Sequence, residues 1–115
     1  MTFLSSCHCG AVTATVDEEI PRQGMACNCS ICRRKGNLHH FTTPGKVTFT
    51  RPEGLVAEYT FNHGNIRHQF CARCGCSPFA EGQGPQGPMV EINLRCVAEC
   101  DLDALEITRF DGAAL

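Results

Sequence analysis

IRHQFCARCG, residues 66–75, is the stretch that decides the fold. Ile66, His68 and Phe70 alternate with Arg67 and Gln69, the two-residue period of a β-strand. That strand runs straight into Cys71, Cys74 and Gly75. A two-residue spacing bends the chain so that both sulfurs meet one ion, and a following glycine lets the backbone turn its N–H groups toward the thiolates. CARCG therefore reads as half of a tetrahedral metal site. CHCG (7–10), with Gly10 after its second cysteine, supplies the other half. On this partition Cys7, Cys9, Cys71 and Cys74 pin the N-terminal segment to the end of the 66–70 strand. Closing such a loop costs several kcal/mol of chain entropy by analogy with a disulfide, against about 10–16 kcal/mol from a structural zinc ion.

Working outward, the chain reads as all-β. Further strands are expected at AVTATV (11–16), VTFTR (47–51), LVAEYTF (55–61), MVEINL (89–94) and LEITRF (105–110), from β-branched and aromatic content and alternation. In the first, Val12, Ala14 and Val16 share a face. NHGN (62–65) suits a hairpin turn because Asn and Gly tolerate positive φ. Ser30 is placed to cap one helical turn through Lys35, ended by Gly36, and a second turn is expected from Asp101 to Leu105. EGQGPQGP (81–88) reads as a surface loop without regular structure. Short strands at close spacing predict a small sandwich or folded-over sheet, and 115 residues predict one domain, 1–115.

Ten cysteines in 115 residues is a disulfide-scaffold density. The N-terminus MTFLSSCHCG, however, has neither the basic region nor the apolar core of a secretory signal. A cytoplasmic location with reduced thiols is therefore expected, in which clustered cysteines ligate metal or do chemistry. A net charge of −2 gives no overall pull toward nucleic acid, and no stretch approaches the ~20 apolar residues of a membrane span.

CNCSICRRKG (27–36) leaves Cys27, Cys29 and Cys32 as a group of three. Zinc with three protein ligands and one exchangeable position is the arrangement of catalytic sites. A closed site completed by Cys76 or by one of the five histidines has the same spacing, and spacing alone leaves both open. Zinc suits the thiols better than an iron–sulfur cluster, because they come in pairs fitted to a single ion.

CHCGAV (7–12), then CNCSICRR (27–34), then FCARCG (70–75) after a β-hairpin, with INLRC (92–96) and FDG (110–112), form an ordered set. In it the sequence resembles the glutathione-dependent formaldehyde-activating enzymes, a group that also includes the centromere-associated V proteins. The resemblance implies an Mss4-like fold of β-sheets around two zinc ions. It implies a structural ion at Cys7, Cys9, Cys71 and Cys74, and a labile or catalytic one at Cys27, Cys29 and Cys32. The family's activity joins formaldehyde and glutathione into S-hydroxymethylglutathione and is classed as a carbon–sulfur lyase. A small thiol and an aldehyde are thus the expected partners. Arg33 and Arg34, directly after the site, are placed to receive carboxylates of glutathione; facing water beside the thiolates is their plainer role. A zinc-stabilised binding module without turnover, or a thiol or metal buffer, would use the same cysteines. Asn28 and Cys76 stand where relatives carry His and usually Thr. Of the remaining candidates, His39 and His40 read as site acids or as strand surface, and His68 as a partly buried histidine. Cys96 reads as a buried apolar residue and Cys100 as an exposed thiol.

Overall fold

The computed structural model describes residues 1–114; residue 115, the last of the expected domain, lies outside them. Its strands are β1 (Phe3–Ser6), β2 (Thr13–Val16), β3 (Gln23–Cys27), β4 (His39–Thr42), β5 (Val47–Thr50), β6 (Val56–Tyr59), β7 (Ile66–Cys71), β8 (Phe79–Gly84), β9 (Gly87–Asn93) and β10 (Glu106–Phe110). One α-helical turn, α1 (Cys32–Lys35), and four 3₁₀ turns complete the described residues. All six expected strands are present, and the fold is all-β. The three-stranded sheet runs β1-β2-β5 and the seven-stranded sheet β10-β3-β4-β9-β8-β7-β6. Every pairing is antiparallel except β10 with β3.

Alternation places the core between the sheets. Val12, Ala14 and Val16 are fully buried, as one face of a strand should be. Directly opposed residues share a sheet face, so the register carries His40, Ile92 and Phe79 on one face. That face meets the small sheet: Phe49 packs edge-on against Phe79 at 4.7 Å, and Phe3 against His40 at 6.0 Å. Gln69 and Cys71 also point inward, while Ile66, His68 and Phe70 line the opposite side of β7. Gln69 is satisfied by Arg51 and Glu58.

Among the described residues, the other face of the large sheet carries no second layer of strands. It presents Cys27, His39, Phe41, Glu91, Ala80, His68 and Tyr59. Phe41, Tyr59, Ile66 and Phe110 are exposed there.

The 81–88 segment departs from the expected loop. Glu81 to Gly84 belong to β8 and Gly87–Pro88 to β9, so the hairpin closes on Gly84 opposite Gly87. Tertiary pairing overrides weak local propensity here. Pro88 is tolerated because β4 pairs with β9 only from Val90 onward, so no strand awaits its missing N–H. The hairpin before β7 turns as expected, with Asn62 at φ 55° and Gly64 at φ 69°. The turn at Leu102–Ala104 is capped by the Asp101 carboxylate, which accepts from the Asp103 N–H.

Candidate metal centre

Two cysteine groups gather their sulfurs. Cys7, Cys9, Cys71 and Cys74 form one, and Cys27, Cys29 and Cys32 the other; within each, all sulfurs lie within 4.8 Å of one another. In the first, Cys7 and Cys9 sulfurs are 3.7 Å apart and Cys9 and Cys71 sulfurs 3.6 Å. Around a tetrahedral zinc with Zn–S of ~2.3 Å the sulfur edges are about 3.8 Å, so this donor set fits such an ion.

The two halves of the four-cysteine group are built alike. Gly10 and Gly75 take φ of 82° and 81°, a conformation that glycine adopts without strain. Each returns its own N–H to the carbonyl of the first cysteine, Gly10 to Cys7 at 3.1 Å and Gly75 to Cys71 at 2.8 Å. The N–H of the residue after each glycine then lies near the second sulfur and favours its charged form. The Cys76 N–H, with the Cys9 N–H, pulls the Cys74 thiol down to about 5. The Ala11 N–H acts the same way on Cys9, but burial and the neighbouring thiols of Cys71, Cys7 and Cys74 prevail and push it up to about 11. N–H groups from Cys74 and Arg73 hold Cys71 below the ordinary thiol range. Cys7 is buried and accepts from the Val12 N–H at 3.3 Å. Cys76 thus supports the four-cysteine group through its backbone and belongs to neither set of sulfurs.

The three-cysteine group sits where β3 passes into α1. Burial opposes charge on Cys29, yet N–H groups of Cys32 and Ile31 and the thiols of Cys32 and Cys27 outweigh it and hold Cys29 below its ordinary value. Burial first, then the neighbouring thiols, push Cys32 well up. One sulfur is therefore poised to carry charge and the other to resist it without a cation. Gly36, at φ 75°, ends the turn by donating to Cys32 O at 2.8 Å. Ser30 lies one residue outside the helical turn and does not cap it; its carbonyl instead accepts from the Arg34 guanidinium at 2.7 Å. Arg33, Arg34 and Lys35 are exposed.

Beyond the sulfurs, the group is shaped by a histidine of β4 and by the C-terminal segment. His39 is buried, and its Nε2 lies 3.3 Å from Cys32 Sγ. His40, the other half of the pair, instead points to Glu18 at 2.7 Å and leaves the site. Asn28 holds the C-terminal segment over the cysteines: its Nδ2 donates to Asp111 Oδ1 at 2.9 Å, and its Oδ1 accepts from the Ala113 N–H at 2.9 Å. Gly112 passes so close that a Cβ there would stand 2.5 Å from Cys27 Sγ. Sequence spacing identifies the sulfurs and raises His39 but carries no sign of this strap. One further expectation is reversed and another is met only in part. Cys100 is buried in the core, where its apolar neighbours and not solvent surround it. Cys96 is only partly buried, near the Asn93 amide and Ser77 O, and burial pushes its thiol up to about 11.

A surface depression of about 510 Å³, lined by Met1, Ile20, Pro21 and Leu105 among others, includes no residue of either cysteine group. No helix among the described residues is long and apolar enough to cross a membrane.

The fold compares well with a crystal structure of a Rhodobacter sphaeroides protein, with a TM-score of 0.75 at 23% identity, covering 91% of this chain and 99% of that one. At that identity the likeness speaks for the fold. The family model for glutathione-dependent formaldehyde-activating enzymes matches residues 2–108, a span that takes in both cysteine groups. By that match the chain belongs to the glutathione-dependent formaldehyde-activating enzyme family.

Proposed function

We propose that this protein is a zinc-dependent, carbon–sulfur lyase-type enzyme that adds a small thiol such as glutathione to an aldehyde such as formaldehyde. Cys27, Cys29 and Cys32 hold the working ion, and Cys7, Cys9, Cys71 and Cys74 hold a second one for structure. A single observation carries this reading: three sulfurs within 4.8 Å of one another, joined by no fourth His, Cys, Asp or Glu ligand atom that close to all of them among the described residues, on the face of the large sheet that no second layer of described strands covers.

Zinc bound there supplies a soft cationic position at which an incoming thiol loses its proton and becomes nucleophilic. The three sulfurs anchor that position, and the N–H groups converging on Cys29 keep one of them ready for coordination. Arg33, Arg34 and Lys35 offset the excess negative charge of three thiolates and receive carboxylates of the thiol substrate. In the addition, the thiol sulfur forms a bond to the aldehyde carbon. The carbonyl π electrons move to oxygen, and that oxygen takes up the proton the thiol released, so no oxidant or reductant is needed. Ten free cysteines suit a reducing, cytoplasmic setting.

The test follows free formaldehyde in the presence of glutathione. The account expects depletion faster than the uncatalysed reaction, abolished by Cys29→Ser with circular dichroism unchanged. Equal rates with and without protein would leave a zinc-stabilised binding module or a metal buffer in its place.

A further inference from the structure

We propose that His39, braced by Glu91, is a positioning residue for the three-cysteine site, donating from Nε2 to the Cys32 sulfur without joining the ligand set. The inference rests on the reading of Cys27, Cys29 and Cys32 as a metal site and adds to it a residue that orients one ligand.

The geometry begins with a buried carboxyl group. Glu91 lies on the site-bearing face of β9 at 8% exposure, where a charged or polar group persists only with a partner. Its Oε1 accepts from the Asn37 amide at 3.4 Å. Its Oε2 faces His39 Nδ1 at 3.2 Å, close enough for an ion pair. The two atoms are nonetheless off the line of a hydrogen bond, and neither has any other partner. Buried unsatisfied atoms in a native fold call for an explanation, and here both belong to the pair that leads to Cys32.

The opposite edge of the imidazole supplies that explanation. Nε2 stands 3.3 Å from Cys32 Sγ, and Phe41 stacks on the ring at 5.7 Å with only 19° between the planes. The ring is thus held between a carboxyl group, an aromatic face and a sulfur. His39 is absent from the group whose ligand atoms all lie within 4.8 Å of one another, so its ring reaches Cys32 without converging on all three sulfurs. Carboxylate, imidazole and metal ligand in a row is the arrangement by which outer groups orient and tune inner ones. A donor to one of three thiolates also draws off part of the charge that weakens zinc as an electrophile. Cys32 is the sulfur that receives it.

Cobalt(II) titration of the full chain, read by thiolate-to-cobalt charge-transfer absorption, tests this, with the four-cysteine site as an internal control. The wild-type protein should bind two equivalents, the second more weakly. His39→Leu should weaken the second equivalent about 10–100-fold and shift its absorption, with the first unchanged. His39→Gln, which returns an amide N–H toward the sulfur, should recover most of the loss. Should His39→Leu fail to fold, Glu91→Gln, which keeps the volume, decides by the same readout. A second equivalent bound by these variants with unchanged affinity and spectrum overturns the proposal alone. So does an equal loss at both sites, which marks a merely structural residue. A wild-type protein that binds a single equivalent overturns the three-cysteine reading itself, and this inference with it.

Discussion

Asn28 and Asp111, 83 residues apart in the chain, are joined by a 2.9 Å hydrogen bond from the amide Nδ2 to the carboxylate Oδ1. The same side chain accepts from the Ala113 N–H, so an asparagine between two metal-ligand candidates clasps the C-terminal segment by both ends of its amide. Asn28 has no acid or base chemistry to offer. Its contribution is to hold Gly112 against Cys27.

Asn28→Ala removes both bonds at an exposed position, and a loss of about 1 kcal/mol is expected. Hydrogen exchange at the Ala113 amide should quicken while the β8–β9 hairpin stays protected. Gly112→Ala is the sharper variant: its Cβ collides with the Cys27 sulfur, so the three-cysteine site should lose metal affinity while the melting temperature holds.

Thiol reactivity should be uneven. With only the ion of the three-cysteine group removed and the fold intact, Cys29, whose burial is outweighed by N–H and thiol partners that hold it below its ordinary value, should ionise more readily than Cys32, which burial pushes up. Timed alkylation read by mass spectrometry should label Cys29 well before Cys32. Equal labelling would contradict the N–H geometry described for the three-cysteine group.

Stability should also respond to mild acid through His68. Burial, with Lys35 and His39 nearby, holds its pKa below the ordinary 6.5. The folded state therefore favours neutral imidazole. The associated stability is present above pH 6.5 and is lost as pH falls through the lowered folded value. His68→Phe, which keeps a flat ring against Phe61, should flatten the urea midpoint between pH 7 and 5. An unchanged pH dependence in that variant removes His68 from the account.

The two sheets are held by aromatic contact. Phe79 is 1% exposed and meets Phe49 across the interface. Phe79→Ala should cost about 3–5 kcal/mol and lower the melting temperature by roughly 10 °C or more. A shift of only a few degrees would mean that the four-cysteine site, and not this contact, joins the layers.

What the sequence discloses follows from where its information is local. β7 and CARCG are legible because alternation and thiol spacing act over a few residues. Gly36 ends its helical turn, and Asn62 and Gly64 turn their hairpin, for the same reason. β8 is hidden because FAEGQG has little strand propensity and is held by neighbours on both sides. Ser30 misses the cap because the turn begins at Cys32, one residue beyond its reach. His39 and His40 look equivalent side by side, yet strand alternation sends one to Cys32 and the other to Glu18. Glu91 and Asp111 could not be read as site partners, since nothing near either residue points to a cysteine 59 or more positions away in the chain.

Metal removal reaches the unequal division of sulfurs most directly. Zinc-loaded protein is titrated with a chelator of increasing strength, with released zinc and circular dichroism followed together. The account predicts two ions, one released from Cys27, Cys29 and Cys32 with the spectrum intact, and one released from Cys7, Cys9, Cys71 and Cys74 only as the β signal collapses. Release of both ions in one step, or full retention of structure after both are gone, would contradict it.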